Sequence, residues 1–441
     1  MLLSGWGRYP ALECRLVRPG EGDGAVAALS ASGPLIARGR GRAYGDAALN
    51  RDCTLDMRAR NRMLAFDPAT GVLVAEAGVT LAEIIDTFLP RGWFPAVTPG
   101  TKFVTLGGAI AADVHGKNHH KDGAFSGCIQ WIDIIGADGV VRRAGPSENA
   151  ELFAWTCGGM GLTGVILRAA VKLRPVETGW IRQRAIPAPG LATAMDLFEG
   201  AQGSTYSVAW IDCMAGGRAL GRSIVMLGEH AARAELGPRE GADPFVAARR
   251  RAKTVPFDLP GFALNSLSVR AFNQLYYGIG AWNAGESLID FDSYFYPLDA
   301  LLEWNRIYGR RGFAQFQCVL PLAASPEGLA VLLKAIARSG QGSFLAVLKR
   351  MGAQESRFSF PMEGYTLALD FPVREGTARL FTELERIVVD HGGRFYLAKD
   401  AFLSPEILRA SDPRTPAFTA MRGASGADGR FVSALSERLK L

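Results

Sequence analysis

The residues of this chain best suited to chemistry lie in one short stretch, "AADVHGKNHHKDG" at 111–123. The chain has 5 histidines, and His115, His119 and His120 all fall here, with Lys117 among them. Clustered imidazoles are first of all metal ligands. Against that, a metal site here lacks an H-E-x-x-H pair and an obvious carboxylate as third ligand. Imidazole and lysine side chains can instead move a proton or steady a developing anion. Further along, "AQFQCVLP" places Gln315 and Gln317 on one strand face by the two-residue period.

Glycine-rich loops precede and follow the histidines. "RGRGRAYGD" at 38–46 carries Gly39, Gly41 and Gly45 beside Arg40 and Arg42. Its spacing is wrong for a dinucleotide fingerprint, yet its backbone N–H groups can converge on an anion. "TPGTKFVTLGGAIAADVHGKNHH" supplies a turn at Thr98, Pro99 and Gly100, hydroxyls at Thr101 and Thr105, and close backbone approach at Gly107 and Gly108. The small Ala109, Ala111 and Ala112 leave room for a large flat ligand. "GGMGLTG" formally contains G-x-G-x-x-G at Gly159, Gly161 and Gly164. A Rossmann loop needs a strand before it and a helix after it, and here the order is reversed. Three such loops point to a cofactor with a pyrophosphate and a large ring system.

The elements that must position these residues follow from periodicity. "GVLVAEAGVTLAEIIDTFLPRGWF" predicts a strand over 72–77, then a helix capped by Thr80 with Glu83 as its capping box. Leu81, Ile84, Ile85 and Phe88 form its apolar stripe. "CIQWIDIIGADGVVRRA" predicts a hairpin turning at 137–139, and "NAELFAWTCGGMGLTGVILRAAVKLRP" a helix, a glycine cluster and a strand ending at Pro175. Beyond it, "TYSVAWIDCM", "AQFQCVLPL", "SFLAVLKRM" and "YTLALDFPV" read as strands interleaved with helices, one of them "GTARLFTELERIVVDHGG" closed by Gly392 and Gly393. An antiparallel sheet with helices on it makes the chain α+β. Residues 232–285 fit neither pattern. There Arg249, Arg250, Arg251 and Lys253 adjoin apolar residues broken by prolines, which is either a solvated loop or a lid that meets a membrane or an anionic head group.

Length and composition bound the rest. At 441 residues two domains are expected. The net charge of +6 is diffuse, and no nucleic-acid-binding pattern is present. The 6 cysteines are scattered, without a C-x-x-C pair, as in a reducing compartment. No secretory h-region or membrane-spanning run occurs, so a cytoplasmic protein is expected, with a peripheral contact at the inner membrane face as an option.

Taken together, "RGRGRAYGD", "PGTKFVTLGGAIAADVHGKNHH", "CGGMGLTGVI" and "FYLAKD" resemble the vanillyl-alcohol-oxidase-type FAD flavoproteins with a PCMH-type FAD-binding domain. Within them the chain is most similar to the decaprenylphosphoryl-β-D-ribose 2′-oxidase family, over nearly its whole length. The resemblance implies an FAD-binding domain from 1–178 and 394–441, with a substrate domain at 179–393 holding a mobile segment around 232–285. It implies that FAD meets Gly39, Arg40, Gly41, Arg42, Ala43 and Tyr44; Pro99, Gly100, Thr101, Val104, Thr105, Gly107, Gly108, Ala112, Val114, His115 and Gly116; Gly161, Gly164 and Ile166; and Tyr396, Ala398 and Lys399. Relatives that attach FAD covalently do so through a histidine of the first loop. Arg42 stands there, so a non-covalent flavin is implied. The implied reaction oxidises the 2′-hydroxyl of a polyprenyl-phosphate-linked ribose, the first half of an epimerisation that a short-chain reductase would complete. Lys399, Lys117 and His115 are then the candidates for the proton step, and Tyr44, Trp210, Gln315, Gln317 and Lys349 for substrate contact. In "YTLALDFPV" the chain departs from the family's "NICVDFP": Ala368 replaces a cysteine and Thr366 an asparagine. A soluble alditol or aldonolactone as substrate, and more remotely a metal protein built on the histidines, are the alternatives.

Overall fold

The computed structural model describes residues 1–20, 22–245 and 253–441. Arg249, Arg250 and Arg251 therefore lie outside the described residues, whereas Lys253 is inside and exposed.

Short apolar runs in the first 175 residues become two small sheets. One is parallel and joins Leu16–Val17, Thr54–Asp56 and Ile36–Arg38. The other is antiparallel and orders Val141–Ala144, Ile129–Ile135, Val165–Pro175, Val72–Glu76 and Met63–Asp67, with Trp93–Pro95 also paired to Val165–Pro175. The helix Leu81–Phe88 starts as its sequence requires. Thr80 Oγ1 accepts from Glu83 N at 3.2 Å, and Glu83 Oε2 accepts from Thr80 N at 2.7 Å. Its stripe of Leu81, Ile84, Ile85 and Phe88 is buried. The expected hairpin turns at Gly139, whose φ of 75° suits glycine. Helix Ala150–Thr156, the glycine cluster and strand Val165–Pro175 follow in the order that excludes a Rossmann loop.

After Pro175 the chain builds one eight-stranded antiparallel sheet. Its order is Gly285–Asp290, Trp180–Ala188, Ser223–His230, Tyr206–Ile211, Ala346–Met351, Gly364–Pro372, Phe313–Pro321 and Arg394–Phe395. Helices Leu191–Gly200, Ser325–Ser339 and Thr377–Asp390 pack on one side of it. Leu332, Leu333, Leu380 and Leu384 from those helices close a dry core with Phe316, Leu348, Leu367 and Leu369 of the sheet. The opposite faces of the same strands are left for the site. The expected helix ends where expected, at Gly392 with φ 67°.

One element was not visible in periodicity. The stretch 266–282, expected to lack regular structure, is the 17-residue helix Ser266–Trp282, capped by Asn265, whose side chain accepts from Leu267 N and Ser268 N. Apolar residues occupy most of its circumference, so no single stripe marks it.

The C-terminal segment crosses back. Arg394–Phe395 extends the large sheet, and helices Pro405–Ser411, Thr415–Ala424 and Ala434–Leu439 then return to the N-terminal half, where Leu35 bridges Phe431. Arg438 locks this return. Its Nε and Nη2 donate to the two carboxylate oxygens of Asp46 at 2.9 and 2.8 Å, Nη2 also to Asp400 at 2.9 Å, and Nη1 to Leu403 O at 2.6 Å. Both carboxylates are buried. Arg438→Met leaves them uncompensated, so urea unfolding should show a loss of about 3 kcal/mol; an unchanged midpoint would show that the fork contributes nothing.

Candidate active site

A cleft of about 360 Å³ opens between the glycine loops and the free face of the large sheet, within the size range of small-molecule sites. Its sheet wall comes from three adjacent strands. On Gly364–Pro372, the two-residue period turns Thr366, Ala368 and Asp370 toward this side and Leu367, Leu369 and Phe371 into the core. Gln315 pairs with Asp370 and Gln317 with Ala368 on one neighbouring strand, while Lys349 pairs with Thr366 and Val347 with Ala368 on the other. Ala398 and Lys399 close one end, and His115 reaches over from the loop side.

The loop wall is a cradle in which a side chain would collide. A Cβ on Gly39 would meet Thr105 Oγ1 at 2.1 Å, and one on Gly41, whose φ is 62°, would meet Arg38 Nη2 at 2.3 Å. Arg38 ties the loop by donating to Ser4 O at 2.6 Å and Ala48 O at 3.3 Å. Arg42 lays its guanidinium 3.9 Å from the Trp6 ring, and its buried Nε has no partner. Glycine backbone, small alanines and an unsatisfied cationic donor along one groove fit a long ligand that joins a pyrophosphate to flat rings.

Of the expected cofactor contacts, Gly39, Arg40, Gly41, Arg42, Ala43, Tyr44, Pro99, Gly100, Thr101, Val104, Thr105, Gly107, Gly108, Ala112, Val114, His115, Gly161, Gly164, Ile166, Tyr396, Ala398 and Lys399 all line this cleft. Gly116 does not: it sits against the Thr98 backbone and the Asn118 side chain, where a Cβ would not fit. Gln315, Gln317 and Lys349 line it too, but Trp210 stands one row behind. Its indole donates to Phe344 O at 3.0 Å and packs on Tyr276 at 4.6 Å. Lys117 points away as well, donating to Tyr294 O with its ammonium 4.2 Å from the Tyr294 ring. Burial lowers its pKa to about 7.

The histidines divide by their partners. His119 accepts from Gly352 N at Nδ1 and therefore donates from Nε2 to Gln354 Oε1 at 2.8 Å. His120 gives Nε2–H to Ser204 O at 2.8 Å. Both are engaged with protein groups, and among the described residues no three His, Cys, Asp or Glu side chains converge as a metal site.

His115 is different, and its proton can be located. Thr366 Oγ1 donates to Cys318 O at 2.8 Å, so toward Gln317 it can only accept. Gln317 therefore presents its amide nitrogen to Thr366 Oγ1 at 3.2 Å and to His115 Nε2 at 3.1 Å. With Nε2 accepting, the neutral ring carries its proton on Nδ1 and points it at Lys349 Nζ, 3.0 Å away. An ammonium has no lone pair to receive that proton, so this network holds Lys349 as the free amine. The electrostatics agree: burial first, then Lys399 and Lys117, lower Lys349 to about 7, and burial keeps His115 well below its ordinary value.

Lys399 has the opposite surroundings. Its Nζ stands 3.5 Å from the Tyr44 ring centroid, and burial lowers its pKa to about 7 while Asp370 pulls the other way. Asp370 is itself raised by burial and accepts from Gln315 Nε2 at 2.5 Å. Sequence reading missed this carboxylate, although alternation from Ala368 puts it on the same face.

A family model described as an FAD binding domain matches residues 21–145. The decaprenylphosphoryl-β-D-ribose oxidase of Mycolicibacterium smegmatis is 35% identical across 100% of this chain and 97% of its own length. An uncharacterized protein of Streptomyces coelicolor is 32% identical over 82% of this chain and 100% of its own. The human Δ(24)-sterol reductase is 28% identical over 29% of this chain and 25% of its own. Glycine cradle, amine-lined sheet wall and full-length identity converge: the chain belongs to the decaprenylphosphoryl-β-D-ribose oxidase family and is an FAD-dependent oxidoreductase.

Proposed function

We propose that this enzyme oxidises the 2′-hydroxyl of a polyprenyl-phosphoryl-β-D-ribose, with Lys349 receiving the hydroxyl proton. The observation that carries the reading is the hydrogen-bond chain from Thr366 through Gln317 and His115 to a neutral Lys349 on the cleft wall. FAD, when bound in the glycine cradle, supplies the hydride acceptor. The protein's own part is to orient the carbinol and take its proton. The substrate hydroxyl replaces His115 at the Lys349 lone pair, and the O–H proton passes to Nζ as the carbinol carbon becomes a carbonyl. Lys399, whose ammonium form the Tyr44 face and Asp370 favour against burial, steadies negative charge as it develops. Gln315 and Gln317 leave amide groups along the wall that reject a substrate lacking matching hydroxyls. The ketone product would pass to a separate reductase of the short-chain type if the sequence ends in the arabinose epimer. A lipid-linked substrate also implies work at a bilayer surface.

Anaerobic titration with polyprenyl-phosphoryl ribose should bleach the flavin absorbance, and free alditols should not; bleaching by alditols alone moves the enzyme to the soluble-sugar reading. Acid precipitation should release the flavin into the supernatant, because Arg42 offers no attachment point.

The base must be neutral to act, so the rate of flavin reduction should rise as pH climbs through about 7 and then level off. Lys349→Met should remove that rise and slow reduction by about 10²–10⁴-fold with FAD retained. Lys399→Met should slow it and move the midpoint upward, because the charge on Lys399 is one of the causes that lower Lys349. Thr366→Asn can donate to Gln317 and let its amide turn, so the midpoint should move upward. A midpoint unmoved by both Lys349→Met and Thr366→Asn would sink the assignment.

A further inference from the structure

Among the described residues, nine of the fourteen exposed large apolar side chains fall within 257–302, and the helix Ser266–Trp282 carries most of them. Leu267 is 76% exposed, Leu275 63%, Ile279 52% and Trp282 89%. At 3.6 residues per turn these four, with Phe272, share one arc of about 140°. The opposite side of the helix packs inward through Val269 and Asn273, and Asn273 Nδ2 donates to the buried Asp212 at 2.7 Å. A helix that is apolar on its outer as well as its inner side ordinarily lies within a core or a membrane. This one lies on the surface, and no helix among the described residues is long and apolar enough to cross a bilayer.

Two observations say what covers it. The helix holds Arg270 and no acidic residue, and Lys253, Arg310 and Arg311 stand exposed around the segment that leads into it. That segment is tied to the arginine loop where Leu259 N donates to Arg306 O at 2.9 Å. The face is also continuous with the mouth of the cleft. Phe272 packs on Phe344 at 5.4 Å, next to the cleft-lining Leu345, and Thr254 pairs with Leu302, which lines the cleft and is itself exposed. An apolar face with exposed cations on the segment that leads into it, opening onto a binding cleft, matches an anionic bilayer surface, whose interface favours an indole such as that of Trp282. A second copy fits poorly, because a two-fold contact through this face would set the same cations against each other.

We propose that the outer face of helix Ser266–Trp282 docks the enzyme on anionic lipid, seating the cleft mouth against the bilayer. The inference rests on the proposed function only in supposing that a lipid-linked sugar enters there, and docking is measured without substrate. The holoenzyme should float with phosphatidylglycerol vesicles and bind phosphatidylcholine vesicles far less, and high salt should weaken the first. The triple variant Leu275→Ser, Ile279→Ser, Trp282→Ser changes exposed side chains only, so it should keep its FAD and melting temperature while losing at least about tenfold in vesicle affinity. It should reduce flavin normally with detergent-dispersed substrate and slowly with vesicle-embedded substrate. Equal flotation of variant and parent, or no flotation of the parent, overturns the proposal. So does a parent that sediments as a dimer which the variant dissolves, since the face would then join two copies. Flotation without bleaching by any polyprenyl sugar would instead overturn the substrate reading and leave docking intact.

Discussion

The site depends on one junction, where the C-terminal segment crosses the first glycine loop. Tyr44 N donates to Ala398 O at 2.8 Å, and Gly45 lies so close under the Asp400 carbonyl that a Cβ would be 1.9 Å from it. Arg438 then pins Asp46 on one side of this crossing and Asp400 on the other. Without the crossing, Lys399 has no fixed relation to Tyr44 or to the cradle, because those residues are separated by most of the chain. A bidentate arginine suits this junction because its planar fork sets distance and angle together, where a lysine would set only distance.

The parts of this fold that were legible in sequence are those governed by short-range rules. The Thr80 and Glu83 capping box, the Gly139 turn and the helix closing at Gly392 each depend on a few neighbouring residues, and each stands where its residues place it. The helix Ser266–Trp282 was illegible for a physical reason. Pattern reading assumes that one side of a helix meets water, and here Leu275, Ile279 and Trp282 fill the side that should be polar. The cleft was legible in its loops through glycine spacing and in its distant parts only through family resemblance. No rule of spacing brings Lys399, Lys349 and His115 together; that takes the sheet register and the C-terminal return.

The departure at Thr366 and Ala368 acquires meaning only at the level of protons. An asparagine both donates and accepts, so an amide facing it keeps two orientations. A threonine whose hydroxyl is committed to Cys318 O accepts and nothing more, which fixes Gln317 and, through it, the His115 tautomer. Ala368 supports no such role. It widens the wall between Gln317 and Val347, its cross-strand neighbours, by the volume of a thiol.

Burial acts on Lys117, Lys349 and Lys399 alike, and each is driven toward neutrality. Burial therefore cannot decide their roles; their partners do. Lys117 faces a carbonyl and an aromatic ring, both of which favour an ammonium, and it is spent on holding the Tyr294 backbone. Lys399 faces a ring and has a carboxylate near it, and both favour its ammonium form against burial. Lys349 alone is met by a hydrogen-bond donor, the Nδ1–H of His115, which only a free amine can accept. Under the proposed roles the enzyme thus obtains an acid-side and a base-side lysine on one wall, by controlling which neighbours donate and which accept.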